Sequence, residues 1–161
     1  MTAAHTKPHE RVFLVVVDDS EEMRVALRYA CRRAKSVGGK VALLYVIEPS
    51  DFMHWMAVEN LHQEERRAEA EALLQDLAAE VNRLTGAMPV LHLRDGDRRD
   101  ELLSLIAEEP TISILVLAAA TGPAGPGPLV SALTGKFVGK LRIPVTIVPG
   151  NLTDDQIDAI A

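Results

Sequence analysis

Six consecutive apolar residues, Val12-Phe-Leu-Val-Val-Val17, stop abruptly at Asp18-Asp19-Ser20. Valine dominates the run, and its β-branched side chain suits extended backbone better than helix. A strand with no polar alternate is covered on both faces, which places it in the interior of a sheet flanked by other layers.

The rest of the chain supplies those layers. From Ser20 the apolar positions Met23, Leu27, Ala30, Cys31 and Ala34 fall on one helical face, and Gly38-Gly39 ends the run. Asp19 or Ser20 is placed to cap that helix, with Glu21 and Glu22 opposing the positive end of its dipole. Val41 to Ile47 reads as a second strand, followed by an irregular connection, Glu48 to Ala57, that contains Pro49 and His54-Trp55. A long helix follows, with Ala70, Leu73, Leu74, Leu77, Val81 and Leu84 on one side and mixed charge, Glu64 to Glu71, on the other. Pro89 to Arg94 is a third, more polar strand suited to a sheet edge. Asp97 opens a helix that Pro110 stops, and Ile112 to Ala118 is a fourth strand.

The loop Thr121-Gly-Pro-Ala-Gly-Pro-Gly-Pro128 is dense in residues that interrupt structure. Pro128 suits the first turn of a helix carrying Leu129, Val130, Leu133, Phe137 and Leu141, which hands over to a fifth strand, Ile143 to Val148. In the tail, Thr153-Asp-Asp-Gln156 has the form of a capping box, so residues 151–161 form a short docked helix or fray. Strands alternating with helices imply parallel pairing and right-handed crossovers. The expected fold class is a doubly wound α/β domain over residues 11–150, preceded by a flexible tail at 1–10. Ligands of such sheets sit beyond the carboxyl ends of the strands where strand order reverses, which points to Asp18 and the loop after the fourth or third strand.

At 161 residues the chain makes one domain, and 48% hydrophobic residues suffice for a core. A formal charge of -6 with no basic stretch argues against nucleic acid. Cys31 is alone, so no intrachain disulfide forms, and burial on its helical face makes it inert. No apolar run approaches the roughly 20 residues of a membrane helix, and the opening MTAAHTKPHE has no apolar signal core; the cytoplasm is the expected location. The histidines (His5, His9, His54, His62 and His92) lack metal-site spacing, and no nucleophile-base set matches a catalytic motif. No metal site and no catalysis are expected.

Two families share features with this pattern. Val15-Val-Val-Asp18-Asp19-Ser20-Glu-Glu-Met23-Arg24 resembles the start of a response-regulator receiver, but the acceptor aspartate and the lysine ending the fifth strand have no counterpart. From Arg11 to Val148 the chain instead resembles the universal stress protein family. The shared parts are Val17-Asp18-Asp19-Ser20, the helix ending in Gly-Gly, Val41-Ala-Leu-Leu-Tyr-Val-Ile-Glu-Pro49, the long charged helix and Ile143-Pro144-Val145-Thr-Ile-Val148. The resemblance implies a flavodoxin-like, adenine nucleotide alpha hydrolase-like sheet of five parallel strands in the order 3-2-1-4-5. It also implies a homodimer joined through the last strand, Val145, Thr146, Ile147 and Val148.

Many members bind ATP through a glycine motif between the fourth strand and the last helix. Gly122-x2-Gly125-x9-Gly135 has its outline, but Lys136 stands where a hydroxyl belongs, and Gly135 lies only nine residues before Pro144. Counting without gaps from Ile114-Leu-Val-Leu117 to Ile143-Pro144-Val145 puts the motif positions on Ala118, Thr121, Ser131 and Ala132. Phosphate cradles use backbone N–H groups, and Pro123, Pro126 and Pro128 have none. The expectation is a non-ATP-binding universal stress protein that acts through protein contacts. The alternative, an ATP-dependent switch with slow or no ATPase and Mg-ATP as cofactor, would use Asp18, Val46, Gly122, Gly125 and Gly135. Without nucleotide, Asp18 caps the first helix and Val46 belongs to the core.

Overall fold

The structure, a computed structural model, describes residues 10–49 and 56–161, with side chains from His62 onward in the second stretch. The expected N-terminal tail, apart from Glu10, and the His54-Trp55 pair lie outside these residues. Strand β1 is Val12–Val17, and none of its six side chains is more than 8% exposed. Its pleat explains this: Phe13, Val15 and Val17 enter one apolar layer, while Val12, Leu14 and Val16 enter the other.

Helix α1, Glu22–Val37, buries Met23, Ala26, Leu27, Ala30, Cys31 and Ala34 against the first layer. It ends on Gly38, whose φ of 69° is left-handed and whose N–H reaches the Ala34 carbonyl. Neither Asp19 nor Ser20 caps α1. The N-cap is Glu21, which makes no side-chain cap bond, and Ser20 instead donates its N–H and hydroxyl to Asp18 Oδ1. Asp18 therefore folds the strand end into a local turn rather than capping a helix.

β2 is Lys40–Ile47, α2 is Met56–Thr85, β3 is Val90–Asp95, α3 is Arg98–Glu108 and β4 is Ile112–Ala119. Asp97 caps α3 by accepting from the Asp100 N–H at 3.0 Å. All strands pair in parallel in the order β3-β2-β1-β4-β5, with β5 at Val145–Pro149. The doubly wound α/β class read from the sequence is the observed one. α1 and α2 cover one face; α3 and α4, Pro128–Thr134, cover the other.

The last helix is shorter than its apolar spacing suggests. α4 stops at Thr134, and Gly135 takes φ −109°, ψ −115°, outside helix geometry. Phe137 and Leu141 therefore flank a separate 3-10 turn, Val138–Lys140, and β5 begins two residues later than expected. Arg142 anchors this lead-in, because its Nη2 donates to the carbonyls of Ile106, Glu109 and Ile112 at 2.9–3.1 Å. Two carbonyls at the end of α3, which has no basic residue in its last turn, and one at the start of β4 are tied together by that one guanidinium.

Beyond β5, Gly150 donates to the Ala119 carbonyl at 2.8 Å. A Cβ there would lie 2.6 Å from both the Ala119 oxygen and Glu22 Cβ, so only glycine fits. Residues Asp154–Ile160 form α5, with a capping box between Thr153 and Gln156. Ile157 is fully buried, and Asp158 accepts paired bonds from Arg28 and Arg32 of α1 at 2.8–3.0 Å. Those forks hold the Asp158 carboxyl at about 2, below its ordinary 3.8.

Candidate functional site

β1 feeds α1 on one face of the sheet, and its neighbour β4 feeds α4 on the other, so a crevice opens between their carboxyl ends. Asp18, half-buried, stands at its edge. Opposite it the chain from Ala120 to Gly127 folds back on itself. The Ala120 N–H reaches the Pro126 carbonyl at 3.2 Å, and Gly125 closes a tight turn onto the Gly122 carbonyl at 3.2 Å. Gly127, at φ 104°, then swings the chain into Pro128, the first residue of α4.

The space left beside Asp18 is a cavity of about 80 Å³, lined among others by Ser20, Met23, Arg98, Gly127 and Pro128. Pockets for molecules of nucleotide size run to roughly 300–1,000 Å³. Pro126 and Pro128, both on its wall, have no N–H to offer an anion. The folded-back loop narrows the crevice, and these two prolines are the only residues of its lining without a backbone N–H to donate.

Positive charge at this end of the sheet is mostly committed. Arg66 donates to the Glu48 carbonyl, Arg67 pairs with Asp95 at 3.3 Å, and Arg98 pairs with the Glu48 carboxylate at 3.4 Å. Arg98 Nε is buried and, among the described residues, has no hydrogen-bond partner. These cross-links tie α2 and α3 to the ends of β2 and β3. Among the described residues no three His, Cys, Asp or Glu side chains gather as metal ligands. Burial pushes the Cys31 thiol up to about 12 and pulls the half-buried His92 down, so neither is an activated group.

A family model described as the universal stress protein family matches residues 10–149. The chain belongs to the universal stress protein family. Solved structures agree on the fold. Universal stress protein UspA from Lactobacillus plantarum has a TM-score of 0.71 at 18% identity, covering 87% of this chain and 97% of its own. A family protein from Burkholderia pseudomallei gives 0.60 at 22%, covering 86% and 95%. A universal stress protein from Archaeoglobus fulgidus in complex with dAMP gives 0.56 at 18%, covering 88% and 98%. No curated protein sequence matches the chain.

Within this universal stress protein, the residues singled out by sequence do not converge. Asp18 lines the small cavity. Val46 is 2% exposed, inside the apolar layer under α3 and α4. Gly122 and Gly125 lie in the folded-back loop, whereas Gly135 follows α4 at its far end, with a Cβ there 2.9 Å from the Ser131 carbonyl. None of the three glycines lines the cavity beside Asp18. Gly127 and Arg98, which do line it, escaped sequence reading. Gly127 had a signal, its place before a helix-starting proline; Arg98 had none, because only tertiary packing brings the start of α3 there. β4, the strand beside β1, ends in Ala118-Ala119, and β3 ends in Asp95, whose carboxylate pairs with Arg67.

No described helix is long and apolar enough to cross a membrane. Val145, Thr146, Ile147 and Val148 form most of β5, the outermost strand on one side of the sheet.

Proposed function

We propose that this universal stress protein is a cytoplasmic homodimer that acts through protein contacts, without ATP as a cofactor and without catalysis. The observation that carries this reading is the crevice beside Asp18, where the loop 120–127 leaves about 80 Å³. The dimer part draws on β5, a short apolar edge whose Val145-Thr146-Ile147-Val148 backbone is free to pair with a second copy. A second reading, a nucleotide-dependent switch, draws on the dAMP complex of the Archaeoglobus relative and on Asp18 at the crevice edge.

Calorimetric titration with Mg-ATP separates the two, preceded by denaturing an aliquot and assaying the supernatant for co-purified nucleotide. No nucleotide and no heat is the expected result. Stoichiometric nucleotide that disappears in Asp18→Ala would overturn the proposal and put the switch in its place.

A further inference from the structure

From Pro110 to Thr153 the chain contains no Asp or Glu, although it carries 23 acids in all, and the same stretch holds Lys136, Lys140 and Arg142. The fold sharpens this segregation. Lys136 Nζ and Lys140 Nζ lie 5.7 and 5.4 Å from the centroid of the Phe137 ring, and Arg99, arriving from α3, stacks its guanidinium 4.1 Å away. Among the described residues Arg99 has only its neighbour Asp100 as a counter-charge, at 3.2 Å. Among the described residues, neither lysine forms an ion pair. Three cations around one ring attract it, but they repel one another, and an anion laid across them relieves that repulsion.

Beside this cluster runs an apolar groove of about 290 Å³, walled by Leu133, Val138 and Leu141 and floored by Val145 and Ile147. Val138 is 54% exposed and Ile147 38%, and the two share one groove instead of standing singly on the surface. We infer that this face is a docking site for a partner protein's short segment carrying both apolar and acidic side chains, the apolar ones in the groove and the carboxylates on Lys136, Lys140 and Arg99. The inference rests on the protein-contact reading and names the chemistry of that contact.

Charge decides the occupant. A second copy pairing along β5 brings the same acid-free stretch, so it adds positive charge where negative is needed. Three cations are too few for a nucleic-acid backbone, and such a ligand has no use for the groove. Strand pairing uses the backbone edge of β5, whereas the groove lies on the sheet face under α4, so one use does not replace the other.

The test is a titration of the full-length protein with a short synthetic peptide alternating leucine and glutamate, followed by amide chemical shifts. Saturable shifts confined to residues 133–147 and the neighbourhood of Arg99, weakening as salt rises, are expected. Lys136→Glu combined with Lys140→Glu should weaken binding at least about tenfold, and Val138→Ser by several-fold. All three positions are exposed, and an unchanged melting temperature confirms that these variants fold. The inference is overturned if the peptide gives no saturable shifts, if the variants bind as the parent does, or if inorganic tripolyphosphate or a serine-for-leucine peptide binds equally well. Mg-ATP calorimetry on the same sample keeps the two claims apart. Neither ligand binding defeats this inference alone, whereas bound ATP defeats the reading beneath it.

Discussion

The two edges of the sheet are finished in opposite ways. At β3 the outer strand carries Arg94 and Asp95; Arg94 pairs with Glu101 and Glu108 of α3, and Asp95 pairs with Arg67 of α2. Any strand arriving there meets fixed charges and the helices that hold them. At β5 the outer strand is Val145-Thr-Ile-Val-Pro149, with no charged residue and an exposed Ile147. Proteins defend unpaired edges with charge, bulges or cover, because a bare edge is a template for another strand. One edge carries ion pairs at its carboxyl end, with Val90 exposed at its start, and the other carries no charge along its length.

The comparison breaks most visibly at β5. Ile147→Lys puts a like charge on the proposed pairing edge of each copy, and light scattering should report a monomer, a loss of about a hundredfold or more in dimer affinity, roughly 3 kcal/mol. A wild-type protein that is monomeric at micromolar concentration would remove the premise. The reciprocal change at β3, Arg94→Val with Asp95→Val, strips the guarded edge. Species larger than a dimer, growing with concentration, are the expected result by the same measurement, and an unchanged mass would mean that cover rather than charge protects β3.

A smaller effect tests how β5 is held. Arg142→Ala removes, just before the strand, the donor to the carbonyls of Ile106, Glu109 and Ile112, of which Glu109 keeps the Ile112 N–H. Stability should fall by about 1–3 kcal/mol and the melting temperature by several degrees, read by thermal denaturation. The smallest effect concerns the tail. The folded-state carboxyl of Asp158 is depressed to about 2 by Arg28 first and Arg32 second, so its contribution is present above its ordinary 3.8 and fades as pH falls from there toward 2. Hydrogen exchange over residues 154–160, taken relative to the intrinsic rate at each pH, should speed up across that window in the parent. In Asp158→Asn it should already be fast at neutral pH, with the dimer untouched.

Much of this was readable in the sequence because burial leaves a periodic trace. β1 is apolar without alternation since both faces are covered, and α1 shows one stripe since only one of its faces is. The strand order came from family likeness, because periodicity does not say which strands are neighbours. The α4 region misled for a definite reason. Leu133, Phe137 and Leu141 are spaced four apart like a helix stripe, yet Gly135 leaves helical geometry and the later two reach the core from a 3-10 turn. The cap of α1 misled because Asp18 captured Ser20 first. At the crevice, Asp18 was legible as a strand end, but the cavity's size depends on how the 120–127 loop folds, and Arg98 reaches it only through packing.

The glycine between sheet and tail has a consequence for how the molecule can be altered. Gly150 threads a gap between the Ala119 carbonyl and Glu22 that admits no side chain, so the chain leaves the sheet on a single bearing, toward α1. The address of whatever follows is set there, upstream of the sequence that makes up α5. Ile157 and Asp158 then fix where the last helix rests on α1, so its direction and its anchorage are set at separate positions.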